Sequence, residues 1–210
     1  RLYRLFLSEM DRRLADDGRW RFFWAFAPRE SAFREEIAGA RPAFTQSGGD
    51  LGRRMARAMG EAFRRGAASV VLVGSDLPHL APARVAEAFG RLEAGADLVL
   101  GPARDGGYYL IGARRVPPVF SGIPWGGPLA LGRTLAVARR RRLAVDLLPE
   151  SYDLDRVDDL EELLHDPVSR EIPATRRAVA AAVRGRASSS RASAGSRRSV
   201  RSHGRAPGER

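Results

Sequence analysis

The sequence contains no cysteine. That excludes a disulfide scaffold, a thiolate zinc site, an iron–sulfur cluster and a cysteine nucleophile. Lysine is also absent, so all 36 basic residues are arginine. No uninterrupted apolar run approaches the roughly 18 residues of a membrane-crossing helix. Residues 1–17 show neither an apolar signal core nor a small-residue cleavage site, so a cytoplasmic location is expected. No internal repeat is visible.

The chain has 210 residues, 44% apolar and 8% aromatic. That is enough for one ordinary hydrophobic core. The net charge of +11 is unevenly placed. Residues 183–210 hold eight arginines and the single acid Glu209, a net of +7, leaving +4 for the rest. This tail is rich in Ser, Arg, Gly and Ala, with Val183 and Val200 as its only bulky apolar residues. Such a composition buries too little to offset ordering entropy and predicts disorder. As a nucleic-acid arm it lacks aromatic residues to stack on bases. A polar extension is the simpler reading. The arginines from Arg139 to Arg142 read in the same way, as a solvated helix end.

The chain opens on an amphipathic pattern, with Leu2, Leu5, Phe6, Met10 and Leu14 on one helical face. In an α/β protein such a helix follows a strand, so the sequence is expected to begin inside a domain. Strand and helix signals then alternate. Strands are predicted over 20–27, 70–73, 98–100, 108–111 and 143–148. Helices are predicted over 50–65, 82–93, 128–142 and 156–164. The four consecutive apolar residues of 70–73 suit a strand buried on both faces. The alternation predicts an α/β layered domain with a mainly parallel sheet. The expected boundaries are a domain over 1–166, a C-terminal helix over 167–182 and the tail over 183–210.

Open α/β sheets bind ligands beyond the carboxyl ends of their strands, and four segments there carry candidate chemistry. Gln46 to Gly52 places Gly48 and Gly49 ahead of a helix, where bare backbone and free amides suit a phosphate. Arg53 and Arg54 follow in its first turn. The same residues also read as a glycine turn with Asp50 as the helix cap. Asp76 lies just past the 70–73 strand, between Gly74 and Pro78, a position that suits a divalent cation or a turn. His79 beside it is read as a loop residue. Asp105, Gly106 and Gly107 precede Tyr108 and Tyr109. Bare backbone beside aromatics suits a sugar ring, and Asp-Gly equally suits a hairpin turn. Asp153 and Asp155 share a side if extended. They either join Asp76 at a cation or start a helix.

Four stretches occur in order: Gln46-x-Gly-Gly-Asp-Leu-Gly-x-Arg-Met, Val-Leu-Val-Gly-Ser-Asp76-Leu-Pro, Gly-Pro-Ala-x-Asp105-Gly-Gly-Tyr-Tyr-Leu-Ile-Gly, and Asp153-Leu-Asp155-x-x-Asp-Asp-Leu. Together they resemble a bacterial family of small glycosyltransferase-like proteins in the nucleotide-diphospho-sugar transferase superfamily. Its members are labelled arsenosugar-biosynthesis-type glycosyltransferases or a domain of unknown function. They are similar to 2-phospho-lactate guanylyltransferase and the molybdenum-cofactor nucleotidyltransferases. The likeness spans roughly residues 1–165. It implies a three-layer, Rossmann-like GT-A fold that binds an activated nucleotide with Mg²⁺ or Mn²⁺. By that resemblance Asp76, Asp155 and Asp153 hold the metal. Gln46, Gly48, Gly49, Arg53 and Asp76 meet the nucleotide. Gly106, Gly107, Tyr108 and Trp125 line the sugar or acceptor side, and Asp105 is the candidate catalytic group.

Two departures stand out. The family opens with a strand and a basic, glycine-bearing phosphate loop that this sequence does not show. The Ile123-Pro-Trp125-Gly-Gly127 stretch stands where the family carries Trp-Ser-Thr. The expected activity is metal-dependent glycosyl transfer from a nucleotide-sugar donor to a small-molecule acceptor. Nucleotidyl transfer to a small phosphorylated acceptor and a non-catalytic binding protein are the alternatives.

Overall fold

The computed structural model describes residues 2–15, 17–26, 41–46 and 48–198, with side chains through residue 185. The chain forms two compact units, Arg1–Asp155 and Arg156–Arg210.

In the first unit, helix α1 (Leu2–Met10) runs into a π-helical turn at Asp11–Ala15. A parallel pair of short strands follows, β1 (Trp24–Phe26) and β2 (Ala43–Thr45). The expected strand over 20–27 therefore shortens to three residues, and β2 carries no periodicity long enough to read from sequence. Next come α2 (Leu51–Arg64), β3 (Val70–Val73), α3 (Pro82–Glu93), β4 (Leu98–Pro102), β5 (Tyr108–Ala113), α4 (Ala130–Arg140) and β6 (Val145–Leu147). The four long strands order as β3-β5-β4-β6.

β5 is antiparallel to both its neighbours, whereas β6 is parallel to β4. Strands β3, β4 and β6 thus share one direction and β5 alone is reversed. The sheet is mixed at its ladders, with the common direction that the alternating sequence predicts. The reversal comes from the tight turn of residues 103–107, too short for a crossover to a parallel strand.

Side chains leave the sheet alternately. Leu98, Leu100, Ile111 and Ala113 join Met59 and Ala138, from α2 and α4, in one apolar cluster. Val99 and Leu110 join Leu7, Met10, Val85, Ala88 and Leu92, from α1 and α3, in another. The unit is therefore three layers, with a helical layer on each face. Each fully buried Leu or Val contributes about 1.5–3 kcal/mol. The exposed arginine pairs of Glu61 and Glu87 on the helix surfaces are worth only about 0.3–0.5 kcal/mol each. Packing, not surface charge, holds the layers.

The helix starts follow local chemistry. Asp50 caps α2, its carboxylate accepting the Arg53 N–H at 2.8 Å. Pro82 occupies the first turn of α3, where its missing N–H costs nothing. The arginines from Arg139 to Arg142 are exposed at the end of α4.

The second unit holds α5 (Val157–His165), a 3₁₀ turn (Pro167–Glu171) and α6 (Pro173–Arg198). Asp159 accepts the Arg156 N–H at 2.6 Å and starts α5. Leu163, Ile172 and Val179 are fully buried. α5 falls in this unit, ahead of the boundary expected at 166. α6 carries helical backbone to Arg198, beyond residue 183, where composition predicts order to end. Its Ala and Arg residues are strong helix formers, and nothing in the run breaks a helix already begun. Residues 199–210 lie outside the described residues.

Gly106 has φ +86°, and a Cβ there would fall on the Pro128 carbonyl. Gly106→Ala should cost about 1–3 kcal/mol from backbone conformation alone, with the clash in addition. Gly122→Ala, at φ +73° but in open space, carries only the backbone cost. Urea denaturation should show the first variant clearly less stable than the second. Equal losses would mean that the Pro128 contact is not close.

Candidate functional site

The candidate site forms where the reversed strand brings loops together at the carboxyl ends of β3 and β4. β3 ends at Val73, and Gly74 donates its N–H to the Tyr109 carbonyl at 3.0 Å. The chain then turns through Leu77 to Leu80, all buried, with the Leu80 N–H bonded to the Leu77 carbonyl at 2.9 Å. That buried turn fixes Asp76 at its head. Gly74 makes room for it: a Cβ at Gly74 would stand 2.8 Å from Asp76 Oδ1.

The second arm is the β4–β5 hairpin. Asp105 Oδ1 accepts the Gly107 N–H at 2.8 Å, and Gly106 donates to the Ala103 carbonyl at 3.0 Å. The Leu131 N–H bonds the Gly106 carbonyl at 3.0 Å, tying the hairpin tip to α4. Asp105 is therefore a turn residue, as the Asp-Gly pair allowed, and it is also exposed beside Asp76.

The third arm is the segment after β6. The Ser151 N–H bonds the Pro102 carbonyl at 3.0 Å, and the Arg104 N–H bonds the Ser151 carbonyl at 3.2 Å. The Leu154 N–H reaches the Asp76 carbonyl at 3.3 Å. This run delivers Asp155 to Asp76. Asp155 is exposed, Leu154 buried and Asp153 half-buried, so the two acids do not share one environment. Asp155 and Asp105 are the carboxylates that act electrostatically on Asp76.

Burial pushes the Asp76 carboxyl above its ordinary value, and the charges of Asp155 and Asp105 push it further. Three acids from three loops thus meet at a position that disfavours negative charge. That donor chemistry fits a divalent cation. Among the described residues, no group of three or more His, Asp and Glu side chains is placed to ligate a metal. Asp76 and Asp155 supply two carboxylates, which suits a cation of the Mg²⁺ type that takes its remaining oxygens from water and substrate phosphate.

The other predicted residues lie around this point. Gln46 follows β2. Its N–H bonds the Phe26 carbonyl at 2.7 Å and its side-chain amide bonds the Ala25 carbonyl at 3.1 Å, so the amide braces β1. Gly48 and Gly49 are exposed, and Gly48 accepts a bond from the Arg57 guanidinium. Arg53 is exposed in the first turn of α2. Arg54, which spacing did not separate from Arg53, lines a cavity of about 930 Å³ together with Gln46, Leu51, Gly74, Ser75 and Tyr108. Tyr108 meets Trp125 edge-on, with ring centroids 6.1 Å apart. Burial raises the Tyr108 phenol well above its ordinary value, keeping it protonated.

His79, read from sequence as a loop residue, is buried and stacks on Tyr152 at 4.5 Å. The Arg104 guanidinium lies 5.1 Å from the same Tyr152 ring. This stack clamps the Asp76 turn to the Asp153–Asp155 segment. Its members are far apart in sequence, and no spacing signals it.

The folded chain holds the Asp76 proton more tightly than an unfolded aspartate with its value of 3.8. This residue's contribution to stability is therefore greatest below that pH and declines as pH rises toward the folded value. Asp76→Asn should accordingly raise the urea midpoint at pH 7 more than at pH 3.5. An equal effect at both values would refute the desolvation of this carboxyl.

Residues 10–127 match the family described as "Uncharacterized protein conserved in bacteria (DUF2064)". No curated protein matches the chain. Among solved structures, the chain is similar to a "putative nucleotide-diphospho-sugar transferase" from Desulfovibrio desulfuricans G20. The identity is 34% and the TM-score 0.72, over 85% of this chain and 84% of that one. A CMP:2-keto-3-deoxy-manno-octonic acid synthetase complexed with CTP shares 13% identity at a TM-score of 0.51, over 77% of this chain and 85% of that one. This second likeness shows the fold alone. Three helix-flanked layers, the reversed strand and the match over more than half the chain lead to one conclusion: the chain belongs to the DUF2064 family, within the nucleotide-diphospho-sugar transferase superfamily.

Proposed function

We propose that this protein is a metal-dependent glycosyltransferase that uses a nucleotide-sugar donor. The observation that carries the reading is the convergence of Asp76, Asp155 and Asp105 at the carboxyl rim of the sheet. Desolvation and mutual repulsion make those carboxylates costly unless a cation and its phosphate ligands accompany them. The 34% identical relative named for nucleotide-diphospho-sugar transfer supports the same substrate class.

In this reading Asp76 and Asp155 hold Mg²⁺ or Mn²⁺, with Asp153 alongside. The bound cation neutralises the donor diphosphate and the charge that grows on it as it leaves. Gly48 and Gly49 let the nucleotide approach the backbone, and Arg53 adds a cation at the α2 amino end. Gln46 holds β1 in place beneath it. Gly106, Gly107, Tyr108 and Trp125 shape the sugar and acceptor side. Tyr108 stays neutral and serves as a donor or a surface. Asp105, exposed on a locked turn, orients the acceptor hydroxyl and receives its proton. That oxygen attacks the anomeric carbon, the bond to the diphosphate breaks, and a nucleoside diphosphate departs.

Calorimetry with Mn²⁺ and UDP- or GDP-sugars tests this reading. Native protein should bind a donor only with the cation present. Asp76→Ala should weaken binding at least tenfold, while Asp105→Asn should retain binding and lose turnover. Absence of cation-dependent binding by the native chain rejects the enzyme reading and leaves a binding protein. Release of pyrophosphate instead of a nucleoside diphosphate assigns nucleotidyl transfer.

A further inference from the structure

The four-stranded sheet ends at β3, which pairs only with β5. The Gly74 N–H bonds Tyr109, and antiparallel pairs alternate between bonded and non-bonded. The backbone amides and carbonyls of Val71 and Val73 therefore point away from β5. They face the 930 Å³ cavity, whose mouth lies at Gly74 and Ser75 and whose floor is β3 itself.

All three residues of β1 also line that cavity. Trp24 donates to the Pro42 carbonyl at 2.9 Å and Phe26 accepts from Gln46, so both turn toward β2. Ala25, between them, turns the other way. Two strand edges thus line one space. Leu7, Met10 and Phe89 form one of its walls and Met55 and Ala58 another. β4 and β5 are buried along nearly their whole length, whereas three of the four β3 residues are only half-buried. An apolar strand edge in this state is a template for pairing.

The chain enters α1 at one end of this space. The Tyr3 hydroxyl and Ser75 Oγ are 2.7 Å apart, which puts the start of α1 beside the carboxyl end of β3. α1 then leads to β1 on the far side of the cavity.

We propose that this slot takes one further β-strand, joined ahead of α1 and running in the direction of β3. A strand ending near Ser75 passes directly into α1, and strand, α1 and β1 complete a β-α-β unit. Apolar helices on both sides require a continuous aliphatic run instead of an alternating one. Four residues, matching β3, span about 13 Å. Val71 and Val73 on one side and Ala25 on the other supply the backbone groups that it pairs with.

The test joins Val-Val-Leu-Val and a short Gly-Ser linker ahead of Arg1 of the full chain, with Asp-Ser-Asp-Ser in the same place as the control. Amide hydrogen exchange and Tm are read without nucleotide, so the result is independent of the transferase reading. The aliphatic extension should slow exchange at Val71 and Val73 at least tenfold and raise Tm, and the acidic one should do neither. Equal exchange in the two forms overturns the proposal. So does protection of Val71 and Val73 in the unextended monomer, which would mean that the edge is already paired. Protection that grows with concentration, alongside a dimer in light scattering, assigns the edge to a second copy and equally overturns it.

Discussion

The reversed strand β5 is the constraint on which the site depends. Because β5 runs back between β3 and β4, the turn before it must lie at the carboxyl end of β4, and so beside the end of β3. A parallel strand would enter the sheet from the opposite end. The hairpin therefore puts Asp105 next to Asp76, and the chain leaving β6 beside β4 brings Asp155 to the same point. Three loops meet because three strands share a direction and one does not.

The cost of that meeting is visible in its electrostatics. Asp76 sits where burial and two neighbouring carboxylates all oppose its charge. Nothing in the packing of the core requires an acid there. The surrounding residues hold it nonetheless, through the buried Leu77–Leu80 turn and the Leu154 hydrogen bond. A residue that works against folding and is rigidly supported is the pattern of a position kept for ligand binding.

Much of the fold was legible in the sequence because burial writes its period into the residues. Val70–Val73, Pro82–Glu93 and the core of α2 were read at or near their bounds. Elements too short to carry a period were not: β2 was missed and β1 overextended. Composition also underestimated α6, whose arginine-rich end continues as helix to Arg198. Asp76, Asp105 and Asp155 stood out because each is an acid at the end of a strand signal. Their proximity was not readable, since it follows from strand order. Nor was the Arg104–Tyr152–His79 stack, or the use of the Gln46 amide to brace β1. Those contacts join segments whose separation in sequence says nothing of their distance in space.

The hairpin also sets an order of events. β4 and β5 are joined by a five-residue turn, so their pairing closes a small loop and can precede most other long contacts. β6 reaches β4 only after the whole of α4 has been traversed. The Asp105 arm is thus built early, while the Asp155 arm waits for the slower crossover. A chain caught partway through folding carries half of its acidic rim, and carries it without the neighbour that makes Asp76 hardest to ionise.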